Sequence, residues 1–247
     1  MKVALVTGAS RGIGAATALE LAVNGFDVCI NFKNDEAAAL NVVAKIKALG
    51  RNAIAVQADV ANEAEVVDLF REIDNKLGVI TALVNNAGIL LPQSRVVDLT
   101  ADRINKILTT NVTSYFLCCR EAIKRMSSKY QGIGGSIVNV SSAAARLGSP
   151  NEYIDYAASK GAIDTLTTGL SLELASENIR VNGVRPGFIN TTMHADGGEP
   201  DRINRLKEFI PLNRGGQPGE VASAIHYLIS DKASYITGSF IDVAGGK

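Results

Sequence analysis

The chain has 247 residues, is 47% hydrophobic and 20% charged, and balances 25 lysines and arginines against 25 aspartates and glutamates. That length buries a full core, and that balance argues against a polyanionic partner or an anionic membrane surface. It carries no basic run interleaved with aromatics, as nucleic-acid binding would need, and no apolar stretch of the ~18 residues that span a membrane. A strand-like run starts at Lys2, leaving no room for a signal peptide, and Cys29, Cys118 and Cys119 lack metal-ligand spacing. The expectation is a cytoplasmic protein with no metal site and cysteines that fill the core.

Val3 to Val6 reads as a buried parallel strand that empties into Thr7-Gly8-Ala9-Ser10-Arg11-Gly12-Ile13-Gly14, with a helical pattern from Ala15 to Val23. Glycines allow a tight turn and close approach of a ligand, and the following helix offers free N–H groups to a pyrophosphate. The spacing Gly-x-x-x-Gly-x-Gly differs from the commonest dinucleotide fingerprint, Gly-x-Gly-x-x-Gly. A second strand, Asp27 to Asn31, and a helix from Asp35 to Leu49 complete a right-handed βαβ unit. A carboxylate at the end of that strand would accept from a ribose 2′-hydroxyl and repel a 2′-phosphate. The chain has Asn31-Phe32-Lys33-Asn34 there, with Arg11 in the glycine turn, which favours NADP(H) over NAD(H).

The alternation continues with a strand at Ile54 to Gln57, then Asp59 and Val60 where an adenine would lie, and a helix from Glu63 to Leu77. The strand Ala82 to Val84 ends in Asn85-Asn86-Ala87-Gly88, whose small residues leave space for a ribose. One long helix is predicted from Ala101 to Ser127 with Asn111 in its middle, where a side-chain amide competes with backbone hydrogen bonds. Ser136 to Val140 is the next strand, closed by Ser141-Ser142. A helix follows with Tyr156 and Lys160 one turn apart on one face, and a nearby ammonium favours a phenolate, bringing the phenol toward a range usable for proton transfer. Arg180 to Val184 is a strand ending at Pro186-Gly187, residues 188–211 read as a substrate lid with a short helix from Asp201 to Phe209, and Pro218 opens a helix to Ile229. Phe240 to Val243 is the last strand. The pattern is α/β: a single domain over residues 1–247, a Rossmann-type doubly wound parallel sheet of about seven strands with helices on both faces.

The ordered set Thr7-Gly8-x-x-x-Gly12-x-Gly14, Asn85-Asn86-Ala87-Gly88, Asn111, Ser142, Tyr156-x-x-x-Lys160 and Pro186-Gly187 resembles the short-chain dehydrogenase/reductase family over essentially the whole chain. The latter half looks like a bacterial subgroup whose relatives tend toward glucose dehydrogenases and acyl-carrier-protein reductases. The resemblance implies hydride transfer between a nicotinamide cofactor and a secondary alcohol or carbonyl. It assigns Tyr156 as general acid/base, Lys160 as its partner and ribose ligand, Ser142 as the group that steadies the substrate oxygen, and Asn111 as part of the proton relay. Gly8, Ser10, Arg11, Gly12, Ile13, Gly14, Asn31, Lys33, Asp59, Val60, Asn86, Ala87, Gly88, Pro186, Gly187, Ile189 and Thr191 are the expected cofactor contacts. Ser141 competes with Ser142, and the separation of Ser142 from Tyr156 points to one extra residue in the loop from Ala143 to Asp155. His194 and His226 read as surface or pocket-wall residues, and Tyr153 as a residue lining the pocket. The family's habit implies a homotetramer. Two rival readings are a catalytically silent nucleotide-binding regulator, which would not need Ser142, Tyr156 and Lys160 intact, and a methyltransferase, which has no use for Lys160.

Overall fold

Ala4 and Val6 face one layer of helices while Val3 and Leu5 face the other, and all four are buried. This two-sided burial is why the run reads as continuously apolar rather than alternating. In the computed structural model, which describes residues 2–247, it forms β1 (Val3–Val6) near the middle of a parallel sheet. The other strands are β2 (Asp27–Phe32), β3 (Ala53–Gln57), β4 (Ala82–Asn85), β5 (Gly135–Val140), β6 (Ile179–Pro186) and β7 (Phe240–Val243). Their order is β3-β2-β1-β4-β5-β6-β7, so the chain reverses its direction of travel across the sheet between β1 and β4. Ligands of open α/β sheets bind beyond the carboxyl ends of the strands at such a switch point.

The helices are α1 (Gly12–Val23), α2 (Glu36–Ala48), α3 (Glu63–Lys76), α4 (Ala101–Leu108), α5 (Ser114–Met126), α6 (Ala144–Leu147), α7 (Ile154–Leu174), α8 (Met193–Asp196), α9 (Arg202–Leu206) and α10 (Pro218–Ile229). Leu21, Val42, Val43, Ile46, Ile225 and Leu228 from α1, α2 and α10 bury one sheet face. Leu69, Phe70, Ile73, Ala122, Met126 and Leu174 from α3, α5 and α7 bury the other. Cys29, Cys118 and Cys119 sit in this second layer as core residues, and burial pushes each thiol up.

Most element boundaries fall within a residue or two of the sequence reading. The helical stretch expected from Ala101 to Ser127 runs unbroken to Met126, but it winds from α4 into α5 through a π turn over Thr109–Thr113. The physical reason lies in Asn111, which is fully buried and clasps one residue from both sides. Its Oδ1 accepts from Ile89 N at 2.8 Å and its Nδ2 donates to Ile89 O at 3.0 Å and to Ser159 Oγ at 3.2 Å. The expected loop from Ala143 to Asp155 holds α6 and a turn in which Gly148, Ser149 and Asn151 are left-handed.

Polar groups inside this core hold α7 to the sheet. Asn85 Nδ2 donates to Asn139 Oδ1 at 2.9 Å, and Asn139 Nδ2 donates to Thr167 Oγ1 at 2.9 Å, a chain from β4 through β5 to α7. At the start of α7, buried Asp155 accepts from the Tyr156 backbone N–H at 2.9 Å and pairs with Arg103 Nε of α4 at 2.8 Å. A carboxylate in the first turn suits the helix dipole and anchors the turn that carries Tyr156.

Candidate active site

Two turns meet at the switch point, and Thr7 ties them together. Its Oγ1 accepts from the backbone N–H groups of Asn86 at 2.9 Å and Ala87 at 3.0 Å. The Asn86 amide donates back to Thr7 O at 2.9 Å and Gly8 O at 3.1 Å. Gly8 and Gly12 are left-handed, with φ of 60° and 57°. A Cβ on Gly14 would lie 2.5 Å from Gly8 O and 2.6 Å from Asn86 Nδ2, so that position takes only glycine. The first turn of α1 has no acidic residue and no side-chain cap, and half-buried Ile13 in that turn lines the crevice. A left-handed glycine cradle ending at an uncapped helix N-terminus fits a pyrophosphate.

Around the ends of β2 and β3 and in the glycine turn, five of the expected cofactor contacts have partners within the protein. Asn31 is buried, accepting from Gly8 N at 3.2 Å and donating to Ala58 O at 3.0 Å, so it braces the glycine turn against β3. Val60 packs its side chain into the core. Lys33 Nζ pairs with Asp59 Oδ2 at 2.6 Å, and that carboxylate also accepts from Ala61 N, which holds it below the usual carboxylate range although burial opposes this. Arg11 pairs with Asp196 of α8 at 2.5 Å across the crevice. The two cations, Lys33 and Arg11, are thus each paired with a carboxylate from another segment.

Tyr156, Ser142 and Lys160 do converge. Half-buried Tyr156 and Ser142 line the same crevice, and Lys160 Nζ lies 5.7 Å from the centroid of the Tyr156 ring. Ser141 differs from its neighbour: it is buried and donates to Lys160 O at 3.1 Å. Lys160 is only 3% exposed, and its Nζ donates to Val140 O at 2.8 Å and to Tyr115 Oη at 3.3 Å. Burial dominates at Tyr156 and pushes the phenol above its usual range, opposed by neighbouring Ser142. Burial likewise disfavours the ammonium and brings Lys160 from 10.5 down to about 8, with Asp164 opposing. Asn111 is beside this floor, since a Cβ on Gly88 would meet its Oδ1 at 3.4 Å and Lys160 Nζ at 3.7 Å. Tyr115 was not singled out from the sequence; an aromatic in an apolar helix carries no mark that distinguishes it from core.

A crevice opens in front of these groups. Pro186, Gly187, Ile189 and Thr191 form its wall after β6, and Thr191 packs within reach of the Gly12 backbone. Leu90, Leu147, Phe188 and Met193 make the other side apolar. His194 lies in the wall, as expected, with Nε2 3.1 Å from Ile189 O and its basicity lowered by burial. His226 is apart from the site, 3.8 Å from Glu20. Tyr153 lines the crevice and donates to Gly197 O at 3.1 Å. Arg202 was missed by sequence reasoning: its buried guanidinium lies over the Tyr153 ring at 4.9 Å and pairs with Glu152 and Glu199. Among the described residues no cluster offers a metal site, and no helix is long and apolar enough to cross a membrane.

A nucleotide cradle at the switch point beside a serine, tyrosine and lysine defines a class of dinucleotide-dependent oxidoreductases, and comparisons with known proteins agree. The family model described as enoyl-(acyl carrier protein) reductase matches residues 8–247. The chain is 63% identical to an uncharacterized oxidoreductase of Escherichia coli, YgfF, over the full length of both. It is 43% identical to a 3-oxoacyl-[acyl-carrier-protein] reductase of Synechocystis, covering 99% of this chain and 96% of that protein. A crystal structure of a short-chain type dehydrogenase/reductase from Mycobacterium marinum superposes with a TM-score of 0.93 at 34% identity, covering 99% of this chain and 94% of that one. The chain belongs to the short-chain dehydrogenase/reductase family.

Burial of Lys160 has a consequence for stability. Between about 8 and 10.5 the unfolded chain holds a proton that the folded chain has lost, so this residue makes stability rise with pH across that window. Below it the folded state carries the full cost of a sealed-in charge. Lys160→Met is therefore expected to stabilise the fold at pH 7 by on the order of 1–3 kcal/mol and to flatten the rise above pH 8, measured by urea unfolding at several pH values.

Proposed function

We propose that this protein is an NADP(H)-preferring enzyme that interconverts a secondary alcohol and a carbonyl, with Tyr156 as the proton-transferring group. The observation that carries this is the convergence of Ser142, Tyr156 and buried Lys160 on one crevice, with Lys160 Nζ 5.7 Å from the Tyr156 ring. When bound, the nicotinamide supplies or takes up the hydride. Tyr156, a phenol that is protonated at neutral pH and that burial pushes further above its usual range, is ready to donate to a carbonyl oxygen. Ser142 donates to the same oxygen, an interaction that strengthens as negative charge develops there. The Lys160 ammonium offsets the charge left on the phenol, and Asn111 is assigned the far end of the proton relay. The printed name of the Synechocystis relative, a 3-oxoacyl-[acyl-carrier-protein] reductase, supports the reducing direction.

Gly8, Ser10, Gly12, Ile13 and Gly14 would hold the pyrophosphate, with Ala87 and Gly88 beneath the ribose and Pro186 to Thr191 along the nicotinamide. Lys33 and Arg11 are assigned to the 2′-phosphate. Each is now paired with a carboxylate in a half-exposed ion pair, an interaction worth about 0–1 kcal/mol, which a dianionic phosphate displaces. Arg202 is neutralised by Glu152 and Glu199, so the apolar walls suit an uncharged substrate rather than an anion. Residues 188–211 act as the lid, fastened by Arg202 to Glu152 and by Asp196 to Arg11. We assign a cytoplasmic setting, in keeping with three unpaired cysteines. Exposed Phe116 on α5, Leu172 on α7 and Tyr235 before β7 support a homotetramer.

Tyr156→Phe is expected to lower kcat at least a thousandfold with the affinity for NADPH within a few-fold of the parent, read from NADPH absorbance against a panel of ketones and from fluorescence titration. Near-normal turnover would remove the acid/base assignment. Lys33→Ala should weaken NADPH about tenfold and leave NADH unchanged; equal losses for both would return the preference to NAD(H). Light scattering at micromolar concentration should give four times the chain mass, and a monomer mass would overturn the assembly.

A further inference from the structure

Lys160 is an ammonium buried without a carboxylate in contact. Asp164, one turn further along α7, is held by Arg185 Nε at 2.9 Å. Two protein acceptors are within hydrogen-bond reach of Nζ, Val140 O at 2.8 Å and Tyr115 Oη at 3.3 Å. Tyr115 is 1% exposed, and its hydroxyl donates its own proton to Val140 O at 3.0 Å. Its remaining lone pair density is thus left for the ammonium, and the three groups close a small triangle. The Tyr115 ring stands 5.2 Å from Nζ, so the charge rests between this ring on α5 and the Tyr156 ring on α7. Packing alone, against Ile163 and Leu166, would need only a phenylalanine.

We propose that Tyr115 is a positioning residue, whose hydroxyl fixes the Lys160 ammonium on the crevice floor and keeps it charged for its work with Tyr156. The proposal rests on the catalytic reading above for its functional meaning, but not for its physical content. The groups facing Lys160 are few. From α7 come Tyr156 and the Arg185-paired Asp164, and from α5 comes Tyr115, backed by the buried thiols of Cys118 and Cys119. From the strand end come Val140 O and Ser141, whose hydroxyl is turned to the helix backbone, and beside Gly88 lies the neutral Asn111 amide. Burial pushes the Tyr115 phenol well above its ordinary range, so it serves as a neutral acceptor and not as an acid. The π turn sets this up: it ends at Thr113, and its wider winding sets the phase with which α5 presents Tyr115.

The test is Tyr115→Phe in the full chain, labelled with [6-13C]lysine, with the Lys160 resonance assigned by comparison with Lys160→Met. Loss of an acceptor that favours the charged form should lower the Lys160 midpoint by about one pH unit. Turnover of a ketone found in the panel should then fall several-fold at pH 8 and stay near that of the parent at pH 6. An unchanged Lys160 midpoint overturns the proposal, including the case where only the melting temperature drops. Tyr115→Met is the second variant should Phe not fold. In the parent protein, a through-space NMR contact must join the Tyr115 ring to the Lys160 ε-methylene, and its absence overturns the proposal without any variant. The two readings fail separately: an active Tyr156→Phe removes the chemistry, whereas an unmoved Lys160 midpoint beside an inactive Tyr156→Phe removes only the role of Tyr115.

Discussion

A positive charge enclosed in protein, answered by a carbonyl and a phenol instead of a carboxylate, is the constraint around which the site is arranged. A contacting carboxylate would stabilise the ammonium but would also neutralise its field at Tyr156. Neutral acceptors hold Lys160 while leaving its charge directed at the crevice. The cost is a folded state that tolerates a strained protonation equilibrium, which is common where chemistry is done. Burial acts on Tyr156 and Lys160 in the same sense, toward their neutral forms.

The scaffold that makes this possible is the switch point between β1 and β4. Thr7, Asn86 and Asn31 join the glycine turn, the β4 turn and the β3 end into one hydrogen-bonded block, so the backbone that would carry a dinucleotide is preformed. The Asn85–Asn139–Thr167 chain and the Arg103–Asp155 pair then place α7 against that block. Buried polar links of this kind are costly when broken, since each leaves unsatisfied groups behind. They fix the geometry between cradle and Tyr156 more firmly than apolar packing could.

Charge around the crevice is closely compensated. Arg11, Lys33 and Arg202 all line or flank it, and each has a carboxylate partner drawn from a different segment. Two of these pairs fasten residues 188–211 to the rest of the chain. Exposed pairs are weak and exchangeable. The buried Arg202, stacked on Tyr153 and Phe188, is neither.

Strand and helix periods, the glycine turn, and the one-turn spacing of Tyr156 and Lys160 were legible in the sequence because each depends on local geometry or on which residues fit a two-sided sheet. Ser142 beside Tyr156 was legible only through the ordered motif set, since the intervening residues do not fix a distance. The sequence did not reveal the π turn at Asn111, the burial of Asn31, the carboxylate partners of Arg11 and Lys33, or the contact between Tyr115 and Lys160. Each of these joins residues more than twenty positions apart, or depends on such a pairing. Tertiary structure decided them because a side chain's charge state and partners are set by what the fold brings within a few ångströms and by how much water it excludes.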